Sequence, residues 1–553
     1  MGKDNLIQKS RQVLRKSYHW VKENFNHLFA TERLELFIAE KKPKNFMFAF
    51  LSSFAFAVVI NLSALIYQVG NGDTYAYMID QSGGDYFLIM LGRWFGVTVN
   101  RWHNNVVVPV FMMLLAMVFL ALAIALVVDI FNIHSKPLIC LCSFLFIAQP
   151  CCYLTVSVYY ISDSFALAIF FSVLAAWILV KFKSLARIFI APIFIMLSLA
   201  LYQAHFVMVV ILCLFYVFFA LLDERQNARD TLKKGIAYII SGGLGIVYYM
   251  VSVKIVLAVK HVGLTNYRGI DTMGKLDLPK SFAIMQEYIA KMYLQNNKGF
   301  IWPNAWQQDF NFRAINIFFF VEFVLLFVFI VVKYKLYKDT LRMVCLALCA
   351  FAAPFAWSVI VYMAPDVFLN GLISSQQAFL YIFLLVALSH FIPYKNIIAW
   401  GIKGISIVLC CVVLYNFVFA ANISAYGPTL AYNRAHFTAS QVLAKMEAMP
   451  NYKSGQKFAL YGDPSNAIEY QYNYDKVPAV NTQIYWSGYG GQGSWMKFVL
   501  EKFGRQLECC TFEEYNAVVE SAEFKEMPTY PHEGYIREIN GIMAIKLEEY
   551  TKQ

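Results

Sequence analysis

Charge is scarce in this chain. Asp, Glu, Lys and Arg make up 15% of its 553 residues, against 59% apolar residues. A soluble globular protein carries about 25% charged and roughly 45–50% apolar residues. The balance excludes an ordinary soluble domain and points to a protein built into a membrane. The net charge is nevertheless +11. No tract interleaves basic residues with exposed aromatics, which excludes a nucleic-acid surface; the excess is read as Lys and Arg in cytoplasmic loops. The 11 cysteines include no Cys-x-x-Cys pair and no His/Cys cluster with zinc spacing, which excludes a structural zinc site. Cys140, Cys142, Cys213, Cys345, Cys349, Cys410 and Cys411 lie in apolar runs, where cysteine behaves as a small hydrophobe. Cys509-Cys510 is a vicinal pair in the polar tail.

Several motifs are also missing. There is no Gly-x-x-x-x-Gly-Lys-Ser/Thr, no Gly-x-Ser-x-Gly, no His-Glu-x-x-His and no Asp-x-Asp pair of nucleotide-sugar enzymes. Without a cytosolic nucleotide site, any activated donor is expected to arrive in the membrane. No small-residue cleavage site follows the first apolar run, so that run is expected to act as an uncleaved anchor. The ~10-residue alternation of a transmembrane β-barrel is lacking too.

What is present is a series of apolar runs of about 20 residues, the length a helix needs to cross a ~30 Å hydrocarbon core. They lie near 46–68, 105–131, 137–158, 163–181, 187–202, 204–222, 235–258, 313–333, 341–363, 374–392 and 398–421. Basic residues fall in alternate short loops: Lys136; Lys181, Lys183 and Arg187; Arg225, Arg229, Lys233 and Lys234; Lys333, Lys335, Lys338 and Arg342; and Lys395. This places the N-terminus inside. The fold class is therefore an all-α polytopic membrane protein of about eleven transmembrane helices, with a small extracytoplasmic α/β domain at its C-terminus. Residues 1–45 carry basic residues with Val13, Leu14, Trp20, Val21, Phe25, Leu28 and Phe29 at near-helical spacing, as in a cytoplasmic amphipathic helix on an anionic leaflet. Residues 46–424 form the transmembrane part, with large outer loops at 69–104 and 259–312, and 425–553 form the tail domain. Loop 69–104 reads as a polar turn and a helix lying along the outer surface. Loop 259–312, with Trp302, Pro303 and Trp306, reads as a cover for a cavity. An odd span count puts the tail outside.

Ionisable residues at the mouths of spans are costly and mark functional sites. Asp73, in Asn71-Gly72-Asp73 after the first run, is a candidate general base, or an ordinary turn or cap aspartate. Asp80 and Asp85 stand in the same loop as alternates. Arg93 has the geometry to hold a phosphate, or to sit among lipid headgroups as Arg101 does. Asp163, at the mouth of the fourth run, faces a cavity or caps a helix with Ser162. Tyr202, Gln203 and His205 interrupt an apolar stretch and suit sugar hydroxyls or a phosphate. Asp366 and the pair Gln376-Gln377 are weaker candidates of the same kind. No feature requires a metal or other cofactor, although outward acids could hold a divalent cation.

Three stretches together resemble the Gtr-type, serotype-converting glucosyltransferases of bacterial surface polysaccharides, of the GT-C class: the acidic outer loop ending in Gly92-Arg93-Trp94, Tyr160-Ile161-Ser162-Asp163-Ser164-Phe165-Ala166, and Ser198-Leu199-Ala200-Leu201-Tyr202-Gln203-Ala204. The family pattern has paired acids in the first outer loop. This chain has the single acid of Gly72-Asp73, so the base is Asp73 alone or Asp73 assisted by Asp80 or Asp85. The resemblance implies a bacterial inner-membrane enzyme that moves a sugar, glucose in the namesake family, from a polyprenyl-phosphate donor to a glycan acceptor such as O-antigen on the outer face, with inversion. The residues themselves suit these parts as follows: Asp73 as base, Asp163 orienting the acceptor or sharing that role, Arg93 as phosphate clamp, Tyr202, Gln203 and His205 lining the sugar site, and Asp85 and Asp366 about the substrates. Membrane lipids, the prenyl donor and the acceptor glycan are the implied partners. A lipid-linked sugar transporter or flippase, and an O-antigen polymerase-like transferase, are the alternatives.

Overall fold

The computed structural model of the chain describes residues 44–69, 73–74, 77, 81–274, 277–294, 312–366, 371–392, 397–462 and 491–550. The N-terminal segment 1–43, Asp80, Trp302, Pro303 and Trp306 lie outside the described residues.

Each apolar run forms a helix or a broken helix. In chain order these are α1 (Lys44–Ile60) and α2 (Leu62–Tyr67), the loop helices α3 (Gln81–Met90) and α4 (Trp94–Trp102), then α5 (Pro109–Ile130), α6 (Lys136–Ala148), α7 (Pro150–Ser157), α8 (Ser162–Lys181), α9 (Arg187–Leu201), α10 (Phe206–Leu222) and α11 (Ala228–Lys260). After the loop helix α12 (Leu278–Ile289) come α13 (Phe312–Lys333), α14 (Thr340–Trp357), α15 (Val359–Met363), α16 (Phe379–Phe391) and α17 (Ile397–Glu447). Among the described residues, seven helices are long and apolar enough to cross a membrane. The pair α6 and α7, bent by 54°, makes an eighth if it is one broken span, and α1, α9 and α16 are shorter apolar helices. The bend follows from Pro150, whose ring nitrogen has no hydrogen to bond back into α6.

The buried centre of the bundle is α8, which packs against α5, α9 and α10; α9 in turn packs on α11. Small residues on α8, Ala166, Ala168, Ala175 and Ala176, are all 0% exposed and let neighbouring backbones come close. On the side that carries the basic loops, Arg342 at the start of α14 donates to the carbonyls of Leu221, Asp223 and Gln226 at 2.7–2.9 Å. Those carbonyls end α10 and begin the turn to α11, so one cation caps a helix C-terminus and ties three helices together.

Two features differ from the sequence expectation. Loop 69–104 holds two helices rather than one, because Gly92 reverses the chain between α3 and α4. The last apolar run does not stop near 421. It continues as one helix to Glu447, and its end, from Ala435 to Met446, packs on the tail sheet. That sheet has four strands, β1 (Lys457–Tyr461), β2 (Glu508–Cys509), β3 (Ile536–Ile539) and β4 (Ile542–Lys546), in the order β2-β1-β4-β3. β1 runs parallel to both neighbours. β3 and β4 form an antiparallel hairpin whose turn, Asn540-Gly541, has φ of 52° and 77°, the positive pair that a tight two-residue hairpin demands. Phe458 of β1 and Trp495, both 0% exposed, pack against each other at a tilt in the core beneath, ring centres 5.0 Å apart.

Candidate active site

The site is built at the hinge between α3 and α4. Gly92 has φ +72°, and a Cβ there would stand 2.5 Å from the Tyr249 hydroxyl of α11. Only glycine takes this conformation without strain and leaves that space. The turn brings the Leu91 carbonyl and the Arg93 side chain over the junction of α9 and α10. There Tyr202 is extended (φ −157°) and breaks the apolar helix. The next residue, Gln203, is 4% exposed and fully engaged. Its Nε2 donates to the Leu91 carbonyl at 2.7 Å and to the Tyr249 hydroxyl at 2.9 Å, and its Oε1 accepts from Arg93 Nε at 3.3 Å. A carbonyl only accepts and a guanidinium only donates, so the amide can face one way alone. The Arg93 guanidinium also lies 4.6 Å from the centre of the Tyr202 ring, a cation–π contact. Arg93 is thus held on two sides. His205 completes this group: its ring is 5.0 Å from that of Tyr202, it is 0% exposed, and neither ring nitrogen has a hydrogen-bond partner among the described residues.

A second, acidic group stands alongside. Asp163, 1% exposed in the first turn of α8, accepts from the Ser164 amide at 2.8 Å and faces His103 Nε2 at 3.8 Å. A carboxylate in the first turn is favoured by the helix dipole. Asp85 of α3 is half-buried; burial raises its carboxyl above the ordinary range, against the opposing effects of Asn100 and Arg101. Asn100 donates to the Tyr77 hydroxyl at 3.0 Å. Burial, with Asp85 nearby, pushes that hydroxyl up to about 12. Tyr77 packs on Gly84, where a Cβ would come within 2.6 Å of its ring, so this glycine, inside α3, makes room for an aromatic.

Tyr160 joins the two groups. Its ring is 5.4 Å from that of Tyr77, and both Asp73 and Arg93 act on it electrostatically. Asp73 itself is exposed. Loop 259–274 closes over this edge through the Thr265 amide on the Met90 carbonyl at 3.1 Å and Tyr267 edge-on to Phe87 at 5.4 Å. Seven candidates from sequence, Asp73, Asp85, Arg93, Asp163, Tyr202, Gln203 and His205, therefore share one neighbourhood. Asp366 enters a different contact, an ion pair with Lys280, and packs on Gly269. Tyr77, Asn100, His103, Tyr160 and Tyr249 were not among the candidates. Tyr160 stood inside a quoted motif and His103 beside two asparagines, whereas Tyr249 lies in an apolar run and carries no signal. Among the described residues no three His, Cys, Asp or Glu side chains gather as metal ligands.

Residues 62–394 match the model of a family described as glucosyl transferase GtrII. The chain belongs to the GtrII glucosyltransferase family. The matched region holds α2 through α16, both groups of the site and Asp366, and it ends before α17 and the tail sheet. No curated protein matches the chain. Membership of GtrII carries glucosyl transfer as the activity, and the array of apolar helices carries a membrane setting. An edge with a fixed guanidinium, several carboxylates and tyrosines has parts that suit glycosyl transfer: charge for a leaving phosphate and a carboxylate to take a proton.

Proposed function

We propose that this protein transfers glucose from a polyprenyl-phosphate donor to a surface glycan, such as an O-antigen, on the outer face of the bacterial inner membrane. In this reading the N-terminus is cytoplasmic and the tail domain extracytoplasmic. The reading rests above all on one observation: Arg93 is clamped between Gln203 and Tyr202, and Asp73 and Arg93 are both within electrostatic reach of Tyr160. The donor slides in from the bilayer with its phosphate against Arg93, whose planar fork suits phosphate oxygens. The acceptor comes from the aqueous side. Asp73 takes the proton from the acceptor hydroxyl as that oxygen bonds to the anomeric carbon. The bond from that carbon to the phosphate oxygen breaks, and its electron pair leaves with the phosphate, where the guanidinium balances the growing charge. Attack from the face opposite the phosphate inverts the anomeric centre. Asp163, held by Ser164 and facing His103, orients the acceptor, and Asp85 supports the same edge. Holding the two substrates together removes much of the entropic barrier.

Asp73→Asn and Arg93→Ala in the full chain test this. Asp73→Asn is expected to abolish transfer with membrane insertion unchanged, because general-base catalysis supplies about 10²–10⁴-fold. Arg93→Ala is expected to lower turnover and weaken use of the phosphate donor. Full product formation by both variants would remove the reading.

A further inference from the structure

The segment joining α15 to α16 is not helical where it meets the bundle. After a 3-10 turn, Gly371–Ile373, come Ser374, Ser375, Gln376 and Gln377, four consecutive polar residues at most 1% exposed. Irregular backbone and polar side chains inside an apolar bundle persist only where protein groups or a cavity's contents satisfy them. Protein groups satisfy part. Ser374 Oγ donates to the Gly371 carbonyl at 2.6 Å. Gln376 Nε2 donates to the Trp357 carbonyl at 2.7 Å and to the Tyr288 hydroxyl at 3.0 Å. The Trp357 carbonyl only accepts, which fixes the amide and turns Oε1 to the other side. That Oε1, Gln377 Oε1 and Ser375 Oγ are all buried with no hydrogen-bond partner among the described residues. Unmet buried acceptors are costly, and three within three residues call for a donor-rich occupant.

The surroundings say which kind. Tyr293 donates to the Gln377 carbonyl at 3.0 Å and accepts from Trp357 Nε1 at 3.1 Å, so aromatic side chains wall the segment. Tyr288 is within electrostatic reach of Tyr202, whose ring carries the Arg93 guanidinium. Aromatic side chains with a few convergent polar groups are the lining that small-ligand sites use. A sugar ring offers hydroxyl donors to the acceptors and C–H faces to the aromatics. We propose that Ser375, Gln376 and Gln377 read the hydroxyls of the hexose being transferred and so set which sugar the protein uses. This rests on the lipid-donor reading above.

The test uses the full chain in nanodiscs as wild type, Ser375→Ala and Gln377→Met. Each is given polyprenyl-phosphate glucose, its monodeoxy analogues, and acceptor glycans lacking single hydroxyls. Ser375→Ala deletes a hydroxyl that has no partner among the described residues, so its melting temperature is expected to hold or rise. Its kcat/KM with the glucose donor is expected to fall roughly five- to tenfold, the worth of one hydrogen bond. One monodeoxy donor, lacking the hydroxyl that residue reads, is expected to be used equally by wild type and variant. Equal losses with every donor, or no loss with any, would overturn the inference. So would a dependence confined to the acceptor series, which would give the pocket to the acceptor ring. If wild type transfers nothing from the lipid donor, the donor reading and this inference fall together; if wild type transfers and the variants fail to discriminate, only this inference falls.

Discussion

Replacing Gly92 by alanine puts one methyl group between α3–α4 and α11. The new carbon would stand 2.5 Å from the Tyr249 hydroxyl and 3.4 Å from Gln203 Nε2. Ordinary contact begins at about 3.5 Å, so the turn and Tyr249 must separate by about 1 Å. A left-handed φ of +72° adds roughly 1–2 kcal/mol for any residue with a Cβ. Together these cost about 2–5 kcal/mol of stability. The functional cost is larger in proportion. The Tyr249–Gln203–Arg93 chain is what fixes the guanidinium, and a displacement near 1 Å at a reacting centre costs on the order of 10²-fold in rate. Gly92→Ala is therefore expected to fold, insert and lose about a hundredfold in glucosyl transfer. Adding Tyr249→Phe removes the clashing oxygen. The double variant is expected to recover to the level of Tyr249→Phe alone, itself several-fold below wild type for one lost hydrogen bond. The assay is transfer of labelled glucose by the full chain in nanodiscs, with a thermal melt beside it. Activity of Gly92→Ala within twofold of wild type, or no recovery in the double variant, would refute the reasoning.

Two further outcomes follow from groups outside that chain. Arg342→Leu leaves the carbonyls of Leu221, Asp223 and Gln226 without their donor and is expected to lower stability by about 3 kcal/mol or more, read as a lower melting temperature in detergent. Asp85 has a raised folded-state carboxyl pKa from burial, so the folded protein binds its proton more readily than the unfolded chain. Its contribution is most favourable at acid pH and is lost as pH rises from the unfolded value of about 4 through the higher folded one. The melting temperature of Asp85→Asn should therefore gain on wild type across that window and stay level above it; a gain on acidification instead would contradict the burial argument.

Much of the helical framework was legible because its signal is length and hydropathy, and every apolar run falls on a helix or broken helix. Breaks were read less well. Pro150 bends the third run, which reads in sequence as one span because its apolar length suffices for one. The Leu91-Gly92 hinge and the Asn540-Gly541 hairpin depend on positive φ at one residue and at two, a local signal easily lost among longer patterns. The continuation of α17 to Glu447 is set by the tail sheet that receives its end, and no boundary in composition records it. At the site, Arg93, Tyr202, Gln203 and Asp163 stood out as polar groups where apolar ones were due. Tyr249 could not, since a tyrosine in a span reads as one more aromatic. Asp366 looked equivalent to the other outer acids, and only tertiary contacts reveal that Lys280 and Gly269 take it up. The pair Gln376-Gln377 was visible, but Ser374 and Ser375 stood inside an apolar run, and the orphaned acceptors could not be seen at all.

The central claim is that sugar passes from a prenyl phosphate to a glycan at the Arg93–Asp73 edge. The most direct measurement supplies the purified full chain in liposomes with acceptor glycan and either polyprenyl-phosphate glucose or a nucleotide-linked glucose, each labelled in the sugar. The account predicts a new glycosidic bond from the lipid donor alone. Labelled product from the nucleotide sugar, or label carried across the bilayer with no new bond, would contradict it.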